Sequence, residues 1–177
     1  MTREVFSVNR APVLTLWAGV VAERLGYDHE EGLSLGKALA GLNAQSKGRR
    51  LGIYKPAERP EGAPGRRKRP GEAFWVELLG RPIPAIATER GVRAVDGDRP
   101  VEPAGVERYL HGKFGEALQS VRRVMEELAR SFDPDELASR AFSLYGQFRP
   151  EIPSGVRGWG AKGELDLDRI RELAKST

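Results

Sequence analysis

The sequence predicts a mainly α fold, about five helices packed around a long central helix over 103–132, with a small antiparallel β hairpin or meander over 73–95. Three observations carry that expectation. Between Pro103 and Phe132, the residues Tyr109 or Leu110, Phe114, Leu118, Val121, Met125, Leu128 and Phe132 recur at steps of three and four, which puts them on one helical face. Further stripes of the same period precede and follow that stretch, whereas 73–95 is rich in β-branched and aromatic residues broken by turn signals. The length of 177 residues suits one domain with a core of its own.

Taken in order, Val5 to Val8 suits a short strand or an arm. Pro12 sits well in a first helical turn, where its nitrogen needs no intrahelical partner. Val13, Leu16, Trp17, Val20, Val21 and Leu25 then form a core-facing stripe that stops at Gly26, a natural C-cap. Asp28 and Glu31 make a capping-box start for a second helix. That helix carries Leu35, Leu39 and Leu42 on one side and Gly32, Gly36 and Ala40 on a small-residue strip that admits a close neighbour; it frays near Gly48. The two helices form an N-terminal hairpin over 1–50.

Residues 51–72 read as a basic, Pro/Gly-rich linker or loop. Pro56, Pro60, Pro64 and Pro70 interrupt it, and it has almost no apolar residues after Ile53 and Tyr54, too few to offset the entropy of ordering. Residues 73–177 then complete one compact domain with 1–50. Ala73 to Leu79, Ile83 to Thr88 and Val92 to Val95 are the strands, with Pro82 and Pro84 confining the middle one to an edge or an irregular course. Asp133-Pro134-Asp135-Glu136 opens a helix that buries Leu137, Ala141, Leu144 or Tyr145, and Phe148. After a glycine-rich loop at 155–163, Asp166 caps a last helix that buries Leu167, Ile170 and Leu173.

Ala11-Pro12-Val13-Leu14-Thr15-Leu16-Trp17-Ala18, Val21-Ala22-Glu23-Arg24-Leu25-Gly26 and Gly158-Trp159-Gly160-Ala161-Lys162-Gly163 together resemble the corresponding blocks of a small uncharacterised bacterial protein family. The resemblance implies no substrate, cofactor or catalytic residue.

The absence of cysteine excludes disulfides and thiolate metal sites. The longest apolar run, Ala11 to Ala22, falls short of the roughly twenty residues that cross a bilayer, and the first residues lack the pattern of a secretory signal, so the expected setting is cytoplasmic with no membrane role.

The net charge of +4 conceals its distribution. From Asn43 to Pro70 there are nine Lys or Arg against Glu58 and Glu61, a local +7, while the remainder holds 20 basic and 23 acidic residues, or −3. Clustered arginines displace counterions from a phosphate backbone. Lys47, Arg49, Arg50, Arg66, Arg67, Lys68 and Arg69 are therefore the candidate contacts of a non-enzymatic module that holds DNA or RNA. The competing reading is a solvated loop, since no aromatic residue lies within the basic run Arg66-Arg67-Lys68-Arg69 to stack on bases. The alternative from another class is a protein-interaction or homo-oligomeric structural protein, built on the Gly32, Gly36 and Ala40 strip and the long apolar stripe.

A weaker anion site is expected from Arg157, Gly158, Gly160, Lys162 and Gly163, whose amides would precede a helix N-terminus. The literal G-x-G-x-x-G at 158–163 lacks the preceding strand and following acid of a dinucleotide fingerprint, and its inner G-x-x-G lacks the context of an RNA-binding KH domain. Ser34-Leu35-Gly36-Lys37 matches the S-x-x-K of serine acyl-transferases without their companion motifs. His29 and His111 have no His or Cys at ligand spacing, and no acidic pair stands out as a general acid and base. No catalytic residue, metal or cofactor is nominated.

Arginine far outnumbers lysine, and Asn, Gln, Met and Cys are scarce, a balance that suits a heat-adapted chain. The prediction is a midpoint of thermal unfolding above about 65 °C, the upper end of the mesophile range; a calorimetric midpoint below that contradicts it.

Overall fold

The computed structural model describes residues 5–50, 73–96, 99–151 and 162–175, with side chains described up to Leu42 in the first of these segments. At its centre lies α1, Arg10–Arg24, in which every residue from Pro12 to Ala22 is buried. A helix that is apolar all round must be surrounded. Around α1 stand β1 (Val5–Asn9), α2 (His29–Arg50), α3 (Pro103–Phe114), α4 (Leu118–Arg130) and α5 (Pro134–Phe148). Trp17, fully buried, donates its indole N–H to the Ala141 carbonyl of α5 at 2.9 Å and meets the edge of the Phe148 ring with centroids 5.3 Å apart.

This corrects the expected fold class. The stretch 103–132 is not one long central helix: α3 ends at Phe114, a single 3-10 turn follows at Gly115–Ala117, and α4 starts at Leu118. Gly115 takes a φ of 56°, which favours glycine, and its N–H closes the helix on the His111 carbonyl. Leu110, Phe114, Leu118, Val121, Met125, Leu128 and Phe132 are all buried, but the first two lie on α3, the next four on α4 and Phe132 just past its end. The β content is also larger than one appended hairpin. The described residues hold six α-helices and two antiparallel sheets, one pairing β1 with β6 (Lys162–Asp166), the other of four strands in the order β2 (Ala73–Leu78), β3 (Arg81–Thr88), β4 (Gly91–Asp96), β5 (Arg99–Pro100).

The first sheet joins the two ends of the described chain, with Val5 opposite Asp166 and Asn9 opposite Lys162. β3 is paired on both sides only at Ala85 and Ile86, and its stretch through the two prolines is the edge position expected for them. Its two prolines are accommodated because β4 pairs only from Ala85 onward, so Pro82 and Pro84 sit where β2 alone is their neighbour.

The connection from α1 to α2 is built from local hydrogen bonds. Gly26, at φ 114°, follows the last turn of α1; its N–H reaches the Glu23 carbonyl at 3.1 Å and the Tyr27 N–H reaches that of Ala22 at 3.0 Å, the two bonds of a Schellman closure. Asp28 Oδ1 then accepts the Glu31 N–H at 2.8 Å while Glu31 Oε1 accepts the Asp28 N–H at 2.9 Å, a reciprocal capping box. Past this turn the helices touch backbone to backbone. A Cβ on Gly36 would collide with the Thr15 carbonyl and come within 3.0 Å of the Gly19 nitrogen, and one on Gly32 would lie 2.9 Å from the Gly19 carbonyl.

That approach brings α2 across the sheet edge. Glu31 Oε2 accepts the Val92 N–H at 2.8 Å, and Ser34 Oγ accepts the Ala94 N–H at 2.8 Å while donating to the Val101 carbonyl at 2.7 Å. β4 therefore spends these edge amides on helix side chains, one way in which folds shield a strand from pairing with another chain. Arg93, 3% exposed, donates to Glu30 Oε2 at 2.9 Å and to the Val92 carbonyl at 3.0 Å beside this seam.

Gly36→Ala should destabilise the fold by about 1–3 kcal/mol, as overpacking does, because the atoms it meets are main chain. Gly41→Ala, with open space around its Cβ, should be neutral or stabilising by up to about 1 kcal/mol. Urea unfolding of both checks the close contact, and equal effects would contradict it.

Candidate nucleic-acid interface

The basic residues expected to hold phosphate begin on α2. Its 22 residues span about 33 Å at 1.5 Å per residue, and Lys47, Arg49 and Arg50 fall in its last turn, where cations also suit the helix dipole. The helix ends at Arg50, two residues past the Gly48 near which it was expected to fray. Its first half is anchored by buried Leu33, Leu35, Leu39 and Ala40. The side chains of Lys47, Arg49 and Arg50, and all of Arg66, Arg67, Lys68 and Arg69, lie outside the described residues.

One cationic pair on the described surface was missed from the sequence. The Lys37 ammonium, on α2, sits 4.0 Å from the centroid of the Tyr109 ring of α3, and that of Lys113, one turn along α3, is 6.0 Å from the same ring. Half-burial pushes the Lys37 ammonium below its ordinary range, Lys113 pushes it further, and Asp96 opposes both. Burial pushes the Tyr109 phenol up. Four arginines elsewhere in the fold meet carboxylates: Arg93 pairs with Glu30, Arg122 with Glu23, Arg140 with Glu136, and Arg171 with Asp168. None of the ion pairs among the described residues takes up Lys37 or Lys113. Tyr109 and Lys113, four apart on a helix, were visible as neighbours; Lys37 is brought to them only by the packing of α2 on α3.

Of the residues expected to hold an anion near the C-terminus, Arg157, Gly158 and Gly160 lie outside the described residues. Lys162 and Gly163 are in β6, opposite Asn9 and Val8. Gly163 is needed there because a Cβ would collide with the Glu151 carbonyl, at the bridge that links Glu151 to Glu164. The N-terminus of α6 (Leu167–Lys175) is served from within the chain, as Asp166 Oδ1 accepts the N–H of Asp168 at 3.0 Å and of Arg169 at 3.4 Å. At the base of the same region Arg10 Nε donates to the Pro150 carbonyl at 2.7 Å. Burial pushes the Tyr145 phenol up to about 12, against the pull of Arg149 and Arg10, and its hydroxyl lies 3.4 Å from the Arg10 carbonyl.

Three further motifs have structural explanations. Ser34 is fully buried with its hydroxyl committed to β4 and Val101, and Lys37 faces Tyr109, so the S-x-x-K pair is not assembled as nucleophile and base. His29 Nδ1 lies 3.4 Å from Glu23 and 3.3 Å from Arg122, within a polar tie between α1, α2 and α4, and His111 is exposed on α3. No group of metal-ligating side chains assembles among the described residues. The Gly32 and Gly36 strip, offered as an interface for a second copy, is filled by α1 of the same chain. No described helix is long and apolar enough to cross a membrane.

No family model, curated protein or solved structure matches this chain.

Proposed function

We propose that this protein is a non-enzymatic nucleic-acid-binding module that contacts phosphates through the basic residues between Lys47 and Arg69. The observation that carries the reading is the local +7 from Asn43 to Pro70 on a remainder of −3. An excess confined to one stretch favours a polyanion that meets that stretch, whereas a charge spread over the surface would serve solubility. Its first three cations are borne on a helix whose other half is locked into the core, which suits a rigid point of contact. The candidate contacts are Lys47, Arg49, Arg50, Arg66, Arg67, Lys68 and Arg69. Clustered cations act first on phosphates, so affinity is expected to follow phosphate density more than sequence. The homo-oligomeric alternative loses its support, since both the strip and the apolar stripe it relied on are buried within one chain.

The test is fluorescence anisotropy with short double-stranded DNA, single-stranded DNA and RNA, using a variant in which Arg66, Arg67, Lys68 and Arg69 are all replaced by Gln. The variant should bind every probe more weakly and flatten the salt slope on duplex DNA by up to about 3.6, at roughly 0.9 per phosphate contact. Affinity and slope equal to those of the unaltered chain would contradict the assignment.

A further inference from the structure

Lys37 and Lys113 meet at one aromatic ring. Two ammoniums lie within 6.0 Å of one ring centroid, and the described residues offer no carboxylate at ion-pair distance to either. Tyr109 positions Lys37 through its π face, an attraction worth about 0.5–2 kcal/mol. A ring, unlike a carboxylate, leaves the charge on the ammonium uncancelled and its N–H donors available to another acceptor. The like charges oppose each other, and only Asp96 acts in the other direction. An ammonium held over a ring, with no carboxylate at ion-pair distance among the described residues, has N–H donors to offer an incoming anion.

Their place in the fold gives the anion a class. Lys37 shares α2 with Lys47, ten residues and about 15 Å further along the helix, a length over which duplex DNA presents roughly nine phosphate charges. The geometry points to Lys37 and Lys113, positioned by Tyr109, as a second phosphate-contacting point, so that a nucleic-acid backbone would lie along α2 and meet the body of the protein as well as its basic segment. This rests on the function proposed above and adds to it a contact on the folded core, at the seam of α2 and α3. The two lysines are binding residues, and Tyr109 is a positioning residue.

The experiment uses the full chain and a labelled DNA duplex, titrated at about 50 and 200 mM salt, the range in which phosphate contacts are read. Three forms are compared: the unaltered chain, the double variant Lys37→Gln with Lys113→Gln, and the quadruple Gln variant of residues 66–69. The double variant should flatten the slope by about 1.8, two contacts at roughly 0.9 each, so that its affinity falls about twelvefold less across that range than the unaltered chain's. Its melting temperature should change little, because the like-charge repulsion and the ring attraction that are lost oppose each other; a merely structural pair would give a loss of stability with binding intact. Lys37→Arg with Lys113→Arg should restore the slope. If the quadruple variant flattens the slope and the double variant does not, the second contact is overturned and the basic segment stands. If only the double variant flattens it, the contact on the core stands and the segment does not. An unaltered chain that fails to bind at 50 mM overturns both.

Discussion

The close passage of α1 over α2 at Thr15, Gly19, Gly32 and Gly36 governs the rest of the molecule. Backbone contact of this kind leaves no side chain to act as a spacer, so the roll of α2 about its own axis is set by where its glycines fall. With Gly32 and Gly36 turned to α1, Glu31 and Ser34 reach the edge of β4, and Lys37 is turned toward α3. A roll of one residue, about 100°, would break all three sets of contacts together. The helix that carries the candidate binding residues is thus also the helix that closes the sheet and lines the core.

Local chemistry was the most legible part of the sequence. Asp28 and Glu31 form the capping box that their spacing implied, Pro134 opens α5 with Leu137, Ala141, Leu144, Tyr145 and Phe148 inward, and Asp166 caps the helix that buries Leu167, Ile170 and Leu173. What sequence reading misjudged was rank. An amphipathic stripe announces itself by contrast, so 103–132 stood out, whereas α1 is buried on every side and shows little contrast to detect. Gly115 broke the long helix without disturbing the apolar spacing on either side, and that is why the periodicity ran straight through it. The β1 and β6 pair was half visible: Val5 to Val8 suited a strand, but its partner is more than 150 residues away and follows a glycine-rich stretch. Of the candidate site, the basic run could be read directly, while the Lys37, Tyr109 and Lys113 cluster required the fold.

Several arginines and the Lys37 and Lys113 pair do different work. Arg93, Arg122, Arg140 and Arg171 meet carboxylates and join elements or brace helix turns. The planar, multidentate guanidinium suits that work. Lys37 and Lys113 are lysines gathered around a neutral ring, and they stand on the same two-helix seam from which α2 continues toward Lys47, Arg49 and Arg50.

Whether nucleic acid lies along α2, as proposed, is read most directly from the amide NMR shifts of the full chain as a short DNA duplex is added at low salt. Shifts should concentrate along α2 from Lys37 onward and on α3 from Tyr109 to Lys113 and be reversed by raising the salt, with the amides of β1, β6 and α6 unmoved. Shifts centred on β1, β6 and α6, or none at all, would contradict the proposal.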